Sequence, residues 1–353
     1  MRAATFTEYG EPLTITEIDA PDPDPAGVVV ETEACGICRS DWHAWVGDWE
    51  WRGVKPDPGH VFGHEPAGRV VAVGSEVERV REGDHVAIPF NLGDGSCSLC
   101  RNGHSNICEN RMGLGFTEEA PGAWAEEVHV PHADHNIVHL PDGVSSVDMA
   151  GLGCRYMTSF HALAHRADVN AGDWLAIHGC GGIGLSAVQI GSTLGANVIA
   201  VDLKEPKLRK AETLGAVETV NAADVEDVPK EIKAITDGGA DIAVDALGIE
   251  TTCRNAVSCL AKRGQHVQIG MTTKRESGEI TLPTDTMVLN EIEFIGSLGM
   301  QPTRYDEIFR LVDSGRLDPA AVVSETVPLE ATSEKLDAMT DFETEGIPVI
   351  DEF

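Results

Sequence analysis

The sequence predicts an α/β protein in which a mostly β domain precedes a doubly wound parallel sheet. Residues 1–145 contain short apolar runs such as "AGVVVETEAC", "AGRVVAVG" and "GDHVAIPF", separated by proline and glycine, as is typical of strands and turns. From about residue 172 strands alternate with helices: "WLAIHG" precedes "IGLSAVQIGSTLG", and "ANVIAVD" precedes "PKLRKAETLG". This alternation indicates a parallel sheet covered by helices on both faces.

Further strands are predicted at "VETVN", "DIAVDALG", "QHVQIGM" and "EIEFIGSLG", which extend the parallel sheet. The stretch "TTCRNAVSCLAKRG" reads as a helix that carries two small core residues, Cys253 and Cys259. A last helix is predicted at "TRYDEIFRLVDSG".

The charge balance is strongly acidic. Lys and Arg number 26 against 58 Asp and Glu, which gives a formal net charge of −32 spread along the whole chain. A nucleic-acid partner is therefore not expected, because phosphate binding needs a basic face. Concentrated salt would screen this repulsion, so the composition indicates a salt-adapted protein. An acidic protein without salt adaptation remains the alternative.

The sequence also indicates the cellular compartment in which the protein is expected. No run of about 18 apolar residues is present, so no membrane-spanning helix is expected. The first residues, "MRAATFTEYGEPLTITEI", lack the apolar core of a signal peptide. The nine cysteines are an odd number, which argues against a disulfide framework. We expect a cytoplasmic protein.

A glycine motif lies between the first strand and helix of the predicted parallel sheet. Gly179, Gly181 and Gly184 have the spacing GxGxxG, which allows a tight turn, close approach to a pyrophosphate and packing of helix on strand. Asp202 ends the next strand, where its carboxylate can bind ribose hydroxyls and repel a 2′-phosphate. The motif predicts NAD rather than NADP, although Lys207 and its neighbouring lysines could soften the repulsion. A glycine turn without ligand and a helix-capping role for Asp202 are the alternatives.

Two groups of residues are candidate metal ligands. The stretches "CGICRSDWH", "GHVFGHEPAG" and "GLGCRYMTSFHAL" place Cys38, His64 and Cys154 far apart in the chain. Two thiolates and one imidazole could form a zinc site with an open fourth position, which suits catalysis. A second group of cysteines clusters in the single loop "DGSCSLCRNGHSNIC". Cys35 and Cys180 are predicted to be small core residues.

Taken together and in this order, these motifs resemble the zinc-containing medium-chain alcohol dehydrogenases over nearly the whole chain. The resemblance implies a GroES-like catalytic domain over 1–145 and a Rossmann NAD-binding domain over 146–285. It implies that the segment 286–353 completes the sheet edge and returns to the catalytic domain. It also implies a homodimer or homotetramer that acts on a small-molecule alcohol or carbonyl substrate, with zinc and NAD as cofactors.

The resemblance assigns roles to residues of the first domain. Cys38, His64 and Cys154 are implied as ligands of the catalytic zinc. Asp41 and Glu65 are implied as carboxylates behind the ligands, and for Glu65 the family suggests transient ligation.

Ser40 and His43 are implied to pass the alcohol proton to water. A serine hydroxyl relays a proton without carrying charge, and a histidine with a pKa near 6.5 can release it to solvent. A surface role in a loop is the alternative for His43. In the cofactor domain the implied NAD contacts are Thr158, Gly179, Gly181, Gly182, Ile183, Gly184, Asp202 and Lys207.

The second metal loop departs from the family pattern of four cysteines. Cys97, Cys100 and Cys108 occupy three of the positions, and Asp94 stands where the first cysteine belongs. A carboxylate oxygen can ligate zinc at a similar distance, so a structural zinc with one oxygen and three sulfurs is expected. A metal-free loop remains the alternative, as does His104 as a substitute ligand.

The stretch "AWVGDWEWRG" holds Trp45, Trp49 and Trp51, of which one or two are candidates to line a substrate cleft; ordinary packing is the alternative. Asn91 is a further candidate pocket residue. The predicted function is a zinc-dependent, NAD-linked alcohol dehydrogenase. The alternatives are a polyol or sugar dehydrogenase of the same family and, from a different class, a non-catalytic nucleotide-binding relative.

Overall fold

The computed structural model describes all 353 residues, Met1–Phe353, and divides them into two compact units. The first unit comprises Met1–Met157, Gly299–Ser314 and Asp318–Phe353; the second comprises Thr158–Leu298 and Gly315–Leu317. The strands are, in chain order, β1 (Arg2–Thr5), β2 (Thr14–Glu17), β3 (Val28–Gly36), β4 (Pro66–Val73), β5 (His85–Ala87), β6 (Asn91–Leu92), β7 (Met112–Gly113), β8 (Glu127–Val130), β9 (Val138–His139), β10 (Trp174–His178), β11 (Asn197–Asp202), β12 (Ala216–Asn221), β13 (Ala240–Asp245), β14 (Leu260–Gln268), β15 (Glu293–Gly296), β16 (Val323–Pro328) and β17 (Ile347–Glu352).

The longest helix, α6 (Gly182–Leu194), lies in the second unit and has 13 residues. The helices are, in chain order, α1 (Arg39–Trp45), α2 (Ser98–Arg101), α3 (Ala133–Asn136), α4 (Ser146–Gly151), α5 (Met157–His161), α6 (Gly182–Leu194), α7 (Glu205–Thr213), α8 (Val228–Ile235), α9 (Glu250–Ser258), α10 (Thr284–Asn290), α11 (Tyr305–Asp313) and α12 (Thr332–Thr340). Two π-helical turns, Leu152–Tyr156 and Ala162–Arg166, flank α5. Single 3₁₀ turns lie at Glu50–Arg52, Ser105–Ile107, Pro302–Arg304, Pro319–Val322 and Leu329–Ala331. No helix is both long enough and apolar enough to cross a bilayer.

The first unit is built on a seven-stranded sheet. Its strand order is β16-β17-β3-β4-β5-β9, and β8 pairs with β3 beside this path. All pairs are antiparallel except β16 with β17. Trp45 and Trp124 are among the largest fully buried side chains of its core. The sheet therefore includes strands from both ends of the chain.

The second unit contains a six-stranded sheet in the order β12-β11-β10-β13-β14-β15. Every pair is parallel, which confirms the predicted doubly wound fold. The helix predicted through "TTCRNAVSCLAKRG" ends at Ser258, and β14 begins at Leu260. Pairing of this segment with β13 outweighs its local helix preference. Cys253 and Cys259 are buried in this unit.

The unit boundaries differ from those drawn on the sequence. The first lies after Met157 rather than after residue 145, because α4 packs on β3 and β4 of the first unit. The second lies after Leu298 rather than after residue 285, because β15 pairs with β14. The predicted C-terminal segment is thus divided between the parallel sheet and the first unit.

Candidate active site

Four potential metal ligands meet in the first unit. Cys38 caps the start of α1, His64 and Glu65 immediately precede β4, and Cys154 lies in the π-helical turn after α4. One ligand atom from each lies within 4.8 Å of all the others, and all four residues are buried. The fold therefore brings together the three predicted zinc ligands and one of the two predicted carboxylates behind them.

The environment of His64 fits a metal ion. Asp41 Oδ1 accepts a hydrogen bond from His64 Nδ1 at 2.8 Å, so a neutral His64 carries its proton on Nδ1 and its lone pair on Nε2. Nε2 is buried and has no hydrogen-bond partner. Burial alone would lower the pKa of His64, but the charge and the hydrogen bond of Asp41 raise it well above its usual value. A cation at Nε2 would satisfy this otherwise unpaired nitrogen.

Asp41 also organises the backbone around Cys38. Its Oδ2 accepts a hydrogen bond from the Cys38 backbone N–H at 3.0 Å, and its Oδ1 accepts one from Gly63 at 3.3 Å. A single buried carboxylate thus connects the start of α1 to the loop that carries His64. Asp41 therefore lies behind the candidate ligands Cys38 and His64, and its role toward a metal stays a prediction.

The two thiols differ in acidity. The Cys154 thiol hydrogen-bonds Cys38, and together with the Arg155 charge this interaction holds the pKa of Cys38 well below its usual value. The same hydrogen bond, with burial, raises the pKa of Cys154. A bound metal ion would stabilise both groups as thiolates.

Arg155 is a site residue that the sequence analysis missed. Its Nη2 donates to Glu65 Oε2 at 2.6 Å, its Nε donates to Oε1 at 3.2 Å, and its backbone N–H also reaches Oε1 at 3.2 Å. Both side chains are almost completely buried. The available signal was a single arginine in an apolar run directly after a candidate ligand, Cys154.

Two glycines allow this close packing. A Cβ atom at Gly36 would lie 2.2 Å from Glu65 Oε2, and one at Gly153 would lie 2.6 Å from Glu65 Cβ. Gly153 also breaks the helical backbone with ψ −140°, just before Cys154. The glycines of "ACGIC" and "GLGC" therefore provide the space that Glu65 needs.

The predicted proton-transfer residues share one short helix. Ser40 and His43 both lie on α1; Ser40 is half-buried and His43 is buried rather than on the surface. His43 Nδ1 lies 2.5 Å from Asp48 Oδ2, and the Trp49 ring stacks on the imidazole with centroids 4.7 Å apart. Asp48 is a second residue that the sequence analysis missed.

The other candidate pocket residues have different surroundings. Trp45 is in the core and donates its indole N–H to the Glu11 carbonyl at 2.7 Å, whereas Trp51 is exposed. Trp49 contacts the Phe116 ring, which in turn contacts His64. Asn91 is buried and its Nδ2 lacks a hydrogen-bond partner. Of the three tryptophans, Trp49 is thus the one that is connected, through Phe116, to the candidate ligand His64.

A second ligand cluster forms in the loop around α2. Ligand atoms of Asp94, Cys97, Cys100 and Cys108 lie within 4.8 Å of one another. Asp94 Oδ1 is 3.4 Å from Cys108 Sγ, and Asn110 donates to Asp94 Oδ2 at 2.7 Å. This hydrogen bond and those from Ser96 lower the pKa of Asp94, which keeps it ionised.

One oxygen and three sulfurs are a donor set that suits zinc. Hydrogen bonding from the Cys100 backbone lowers the pKa of Cys97 to about 7, which favours a thiolate in this cluster. The alternative ligand His104 is exposed and lies outside the cluster.

In the second unit the glycine motif connects β10 to α6. Gly179 has φ +95°, and a Cβ there would lie 2.6 Å from Leu247 Cγ; a Cβ at Gly184 would lie 1.8 Å from the Gly179 carbonyl oxygen. Gly181 caps α6, and Gly182 and Ile183 form its first residues, so their backbone N–H groups lie at the helix N-terminus. This is the geometry that favours a pyrophosphate.

Asp202 lies beside this turn. Its Oδ2 accepts a hydrogen bond from the Cys180 backbone at 2.7 Å, and its Oδ1 accepts one from Lys204 at 2.9 Å. Asp202 therefore caps the backbone before α7 and also holds the glycine turn. Lys207 is buried, and Thr158 Oγ1 is buried without a hydrogen-bond partner.

Comparisons with known proteins agree with this architecture. Residues 24–142 match the alcohol dehydrogenase GroES-like domain, and residues 182–314 match the zinc-binding dehydrogenase domain. An NAD-dependent alcohol dehydrogenase of Sulfurisphaera tokodaii is 33% identical, and the alignment covers 99% of each chain. An alcohol dehydrogenase of Moraxella sp. is 34% identical, also over 99% of each chain.

Comparison with solved structures also finds similarity to alcohol dehydrogenases. An alcohol dehydrogenase from Thermus sp. ATN1 superposes with a TM-score of 0.90 at 27% identity, covering 100% of both chains. Both sequence and fold thus agree over the full length. The chain belongs to the zinc-binding dehydrogenases, the family in which an alcohol dehydrogenase GroES-like domain precedes a zinc-binding dehydrogenase domain.

Proposed function

We propose that this protein is a zinc-dependent, NAD-linked alcohol dehydrogenase that interconverts an alcohol with an aldehyde or ketone. The observation that carries the proposal is the buried cluster of Cys38, His64 and Cys154, in which His64 Nε2 has no hydrogen-bond partner. The full-length similarity to NAD-dependent alcohol dehydrogenases supports it.

Cys38, His64 and Cys154 would hold the catalytic zinc. When bound, zinc would act as a Lewis acid and lower the pKa of an alcohol hydroxyl toward neutrality. Asp41 keeps His64 in the tautomer that ligation needs. Arg155 pairs with Glu65 and so holds this carboxylate beside the cluster without an uncompensated buried charge.

Ser40 and His43 would carry the substrate proton. The Ser40 hydroxyl can accept one proton while donating another, so no net charge accumulates on it. His43 can then accept the proton and release it to water. Support for this path comes from the position of both residues on α1, beginning directly after the ligand Cys38.

In the second unit NAD would bind over the glycine motif, because the pyrophosphate would find the N-terminus of α6. The carboxylate of Asp202 would bind the ribose hydroxyls with its remaining lone pairs and disfavour NADP. Gly182, Ile183 and Lys207 would complete this site, and the buried Thr158 hydroxyl would contact the nicotinamide.

A second zinc would have a structural role. We place it among Asp94, Cys97, Cys100 and Cys108, whose donor atoms already lie together. Three thiolates and a carboxylate leave no open position, so this metal would stabilise the loop rather than take part in the chemistry.

The remaining proposals concern the environment of the protein. The formal charge of −32 supports a salt-adapted enzyme, and nine free cysteines without a disulfide support a reducing, cytoplasmic location. A homo-oligomer is supported by the second unit, where β15 leaves a free sheet edge and where Val288 and Leu289 are 70% and 80% exposed.

The test is an activity panel with purified protein in concentrated potassium chloride. Alcohols, aldehydes and sugars are assayed with NAD and with NADP, before and after removal of metal by a chelator. We expect NAD-linked turnover of simple alcohols that is lost with the metal and restored by zinc. Preferential turnover of sugars would favour the polyol or sugar dehydrogenase alternative. NADH binding without turnover of any substrate would indicate the non-catalytic relative.

Substitutions test the ligand assignment. Cys38→Ala and His64→Ala should abolish turnover and lower bound zinc, because two remaining ligands hold the metal poorly. Cys35→Ala is the matched control: Cys35 is equally buried, lies three positions away on the same segment and is outside the cluster. Near-normal zinc content and turnover in Cys38→Ala would refute the assignment.

A further inference from the structure

Asp48 holds the imidazole of His43 through its carboxylate. Asp48 follows α1, and its backbone N–H donates to the His43 carbonyl at 2.9 Å, so the turn brings the two side chains together. The Asp48 Oδ2 to His43 Nδ1 distance is 2.5 Å, and the two side chains are only 15% and 9% exposed. A hydrogen bond to an ionised group in such a shielded position is stronger than one at the surface.

Aromatic rings fix the plane of the same imidazole. Trp49 is stacked on it with an interplanar angle of 10°, and Trp42 contacts it edge-on with centroids 5.0 Å apart. The stacked Trp49 ring restricts rotation of the imidazole. The hydrogen bond to Asp48 keeps Nδ1, rather than Nε2, toward the Asp48 carboxylate. The histidine is therefore held in both plane and direction.

The chemical consequence concerns the tautomer. A neutral imidazole carries one N–H and one lone pair, on different nitrogens. An ionised carboxylate accepts hydrogen bonds and donates none, so a neutral His43 beside Asp48 carries its proton on Nδ1. The lone pair then lies on Nε2, where it can take up a proton.

We propose that Asp48 is a positioning residue for proton transfer: it fixes the tautomer and orientation of His43 so that Nε2 is the proton acceptor. The inference rests on the proposed function of His43 in the proton path. In alcohol oxidation Nε2 gains the substrate proton, giving an imidazolium that Asp48 stabilises. The proton then leaves Nε2 for water and the neutral imidazole returns, while Asp48 stays ionised throughout.

The charges that face His43 come from its own helix and from the turn after it. They are Asp48, Arg39 and the thiol of Cys38. Burial lowers the pKa of His43 and Arg39 lowers it further, whereas the hydrogen bond and charge of Asp48 raise it. Loss of the Asp48 charge should therefore move the pKa of His43 further down.

The test is a double-mutant cycle in the zinc-loaded enzyme with Asp48→Asn, His43→Gln and the combined variant. Asparagine keeps the shape of aspartate but can donate a hydrogen bond to Nδ1, which would select the other tautomer. We expect His43→Gln to lower kcat for alcohol oxidation by about 100-fold and Asp48→Asn by about 10-fold or more, within the range of general acid–base effects.

The combined variant should equal His43→Gln, because Asp48 acts only through the histidine. Asp48→Glu, which keeps a carboxylate, should recover part of the lost kcat. Asp57→Asn is the control, since it removes an exposed acid of the same unit with the same change in charge.

Two further measurements do not depend on turnover. In protein labelled with ¹⁵N-histidine, the ring nitrogen shifts of His43, assigned with His43→Gln, should show Nδ1–H in the wild type and a changed tautomer in Asp48→Asn. Zinc content and thermal midpoint of Asp48→Asn show whether the variant is folded. In the pH profile of kcat, the fall in activity toward low pH should move to lower pH in Asp48→Asn.

The outcomes separate the two proposals. If His43→Gln oxidises alcohols at the wild-type rate, the proton path through His43 is wrong. If His43→Gln is impaired but Asp48→Asn keeps the wild-type tautomer and pH profile, the path stands and the role of Asp48 is refuted. An equal loss from Asp48→Asn in both backgrounds would mean that Asp48 supports the loop and does not act through His43.

Discussion

At the scale of single residues, buried charged side chains are concentrated around the candidate ligands Cys38, His64 and Cys154. Few carboxylates are fully buried, and two of them, Asp41 and Glu65, lie at this site. Each has a specific partner, His64 and Arg155 respectively. Because an unpaired buried charge is costly, the site depends on these pairs being complete.

Arg155→Met tests the second pair. Removal of the guanidinium leaves the Glu65 carboxylate buried and uncompensated, so we expect the free energy of unfolding to fall by about 3–5 kcal/mol. Denaturation in urea at constant salt measures it. The variant Arg155→Met/Glu65→Gln, which removes both charges, should recover much of the loss. If the single variant is as stable as the wild type, Arg155 does not compensate the buried charge of Glu65.

Asp202→Ala tests the cofactor preference. We expect the ratio of kcat/KM for NAD over NADP to fall by about 10-fold or more, because repulsion of a 2′-phosphate is removed. The KM for NAD should also rise, since the Cys180 and Lys204 backbone N–H groups lose their acceptor. Asp202→Asn, which can keep one of these hydrogen bonds, is the comparison. A wild-type enzyme that strongly prefers NADP would contradict the role given to Asp202.

At the scale of elements, the loop around α2 contains little regular secondary structure. Its cysteines and Asp94 are connected mainly by their own side chains, with sulfur–sulfur distances of 3.5 and 3.8 Å from Cys97 to Cys100 and Cys108. A loop of this kind gains much of its order from a bound metal. Its stability is therefore expected to depend on the fourth ligand.

Asp94→Ala should lower zinc content and thermal stability more than turnover per folded molecule, because the loop is separate from the catalytic cluster. Asp94→Cys, which completes four thiolates, should retain zinc better than the wild type against a chelator. Zinc is measured by elemental analysis after dialysis. One zinc per wild-type chain, with no change in either variant, would mean that the loop holds no metal.

The strand β10 carries a buried histidine at its end. Burial, with a smaller effect of His266, lowers the pKa of His178 to about 3, whereas an unfolded histidine titrates near pH 6.5. Below pH 6.5 the unfolded chain binds a proton that the folded chain does not. This contribution to stability is present above pH 6.5 and is lost as the pH falls toward 3.

We therefore expect His178→Leu to reduce the pH dependence of unfolding by up to about 1.4 kcal/mol per pH unit between these limits. Urea denaturation at a series of pH values measures the slope, and His104→Gln, at an exposed position, is the control. An unchanged slope in His178→Leu would contradict burial of a neutral His178.

At the scale of the whole molecule, net charge is the dominant feature. With 58 acidic and 26 basic residues, most acids have no basic partner available to them. At about 0.01 M salt the Debye length is roughly 30 Å, so acids across a whole domain repel one another; at about 1 M it is roughly 3 Å. A folded protein is stable by only about 5–15 kcal/mol, which many small repulsions could exceed.

Activity and thermal midpoint should therefore rise from dilute buffer into the molar range of potassium chloride. A non-ionic osmolyte at matched water activity is the control, because it strengthens apolar burial without screening charge. A similar rise with the osmolyte would assign the effect to burial. Full activity and equal stability in dilute buffer would exclude salt adaptation and leave the dehydrogenase function untouched.

Local patterns in the sequence determined the fold class and the residue types of the site. Strand and helix periodicity predicted the parallel sheet of the second unit, and the GxGxxG spacing located its turn before α6. These features depend on residues close together in the chain, so they can be read without coordinates. The helix predicted past Ser258 shows the limit, because pairing with β13 decided that segment.

Only the tertiary structure decided what depends on residues distant in the chain. It brought Cys38, His64 and Cys154 to one buried point and paired Arg155 with Glu65, which lie 90 positions apart. It also returned Gly299–Ser314 and Asp318–Phe353 to the first unit, where β17 pairs with β3. Such contacts result from packing of whole elements, and no local periodicity in the sequence records them.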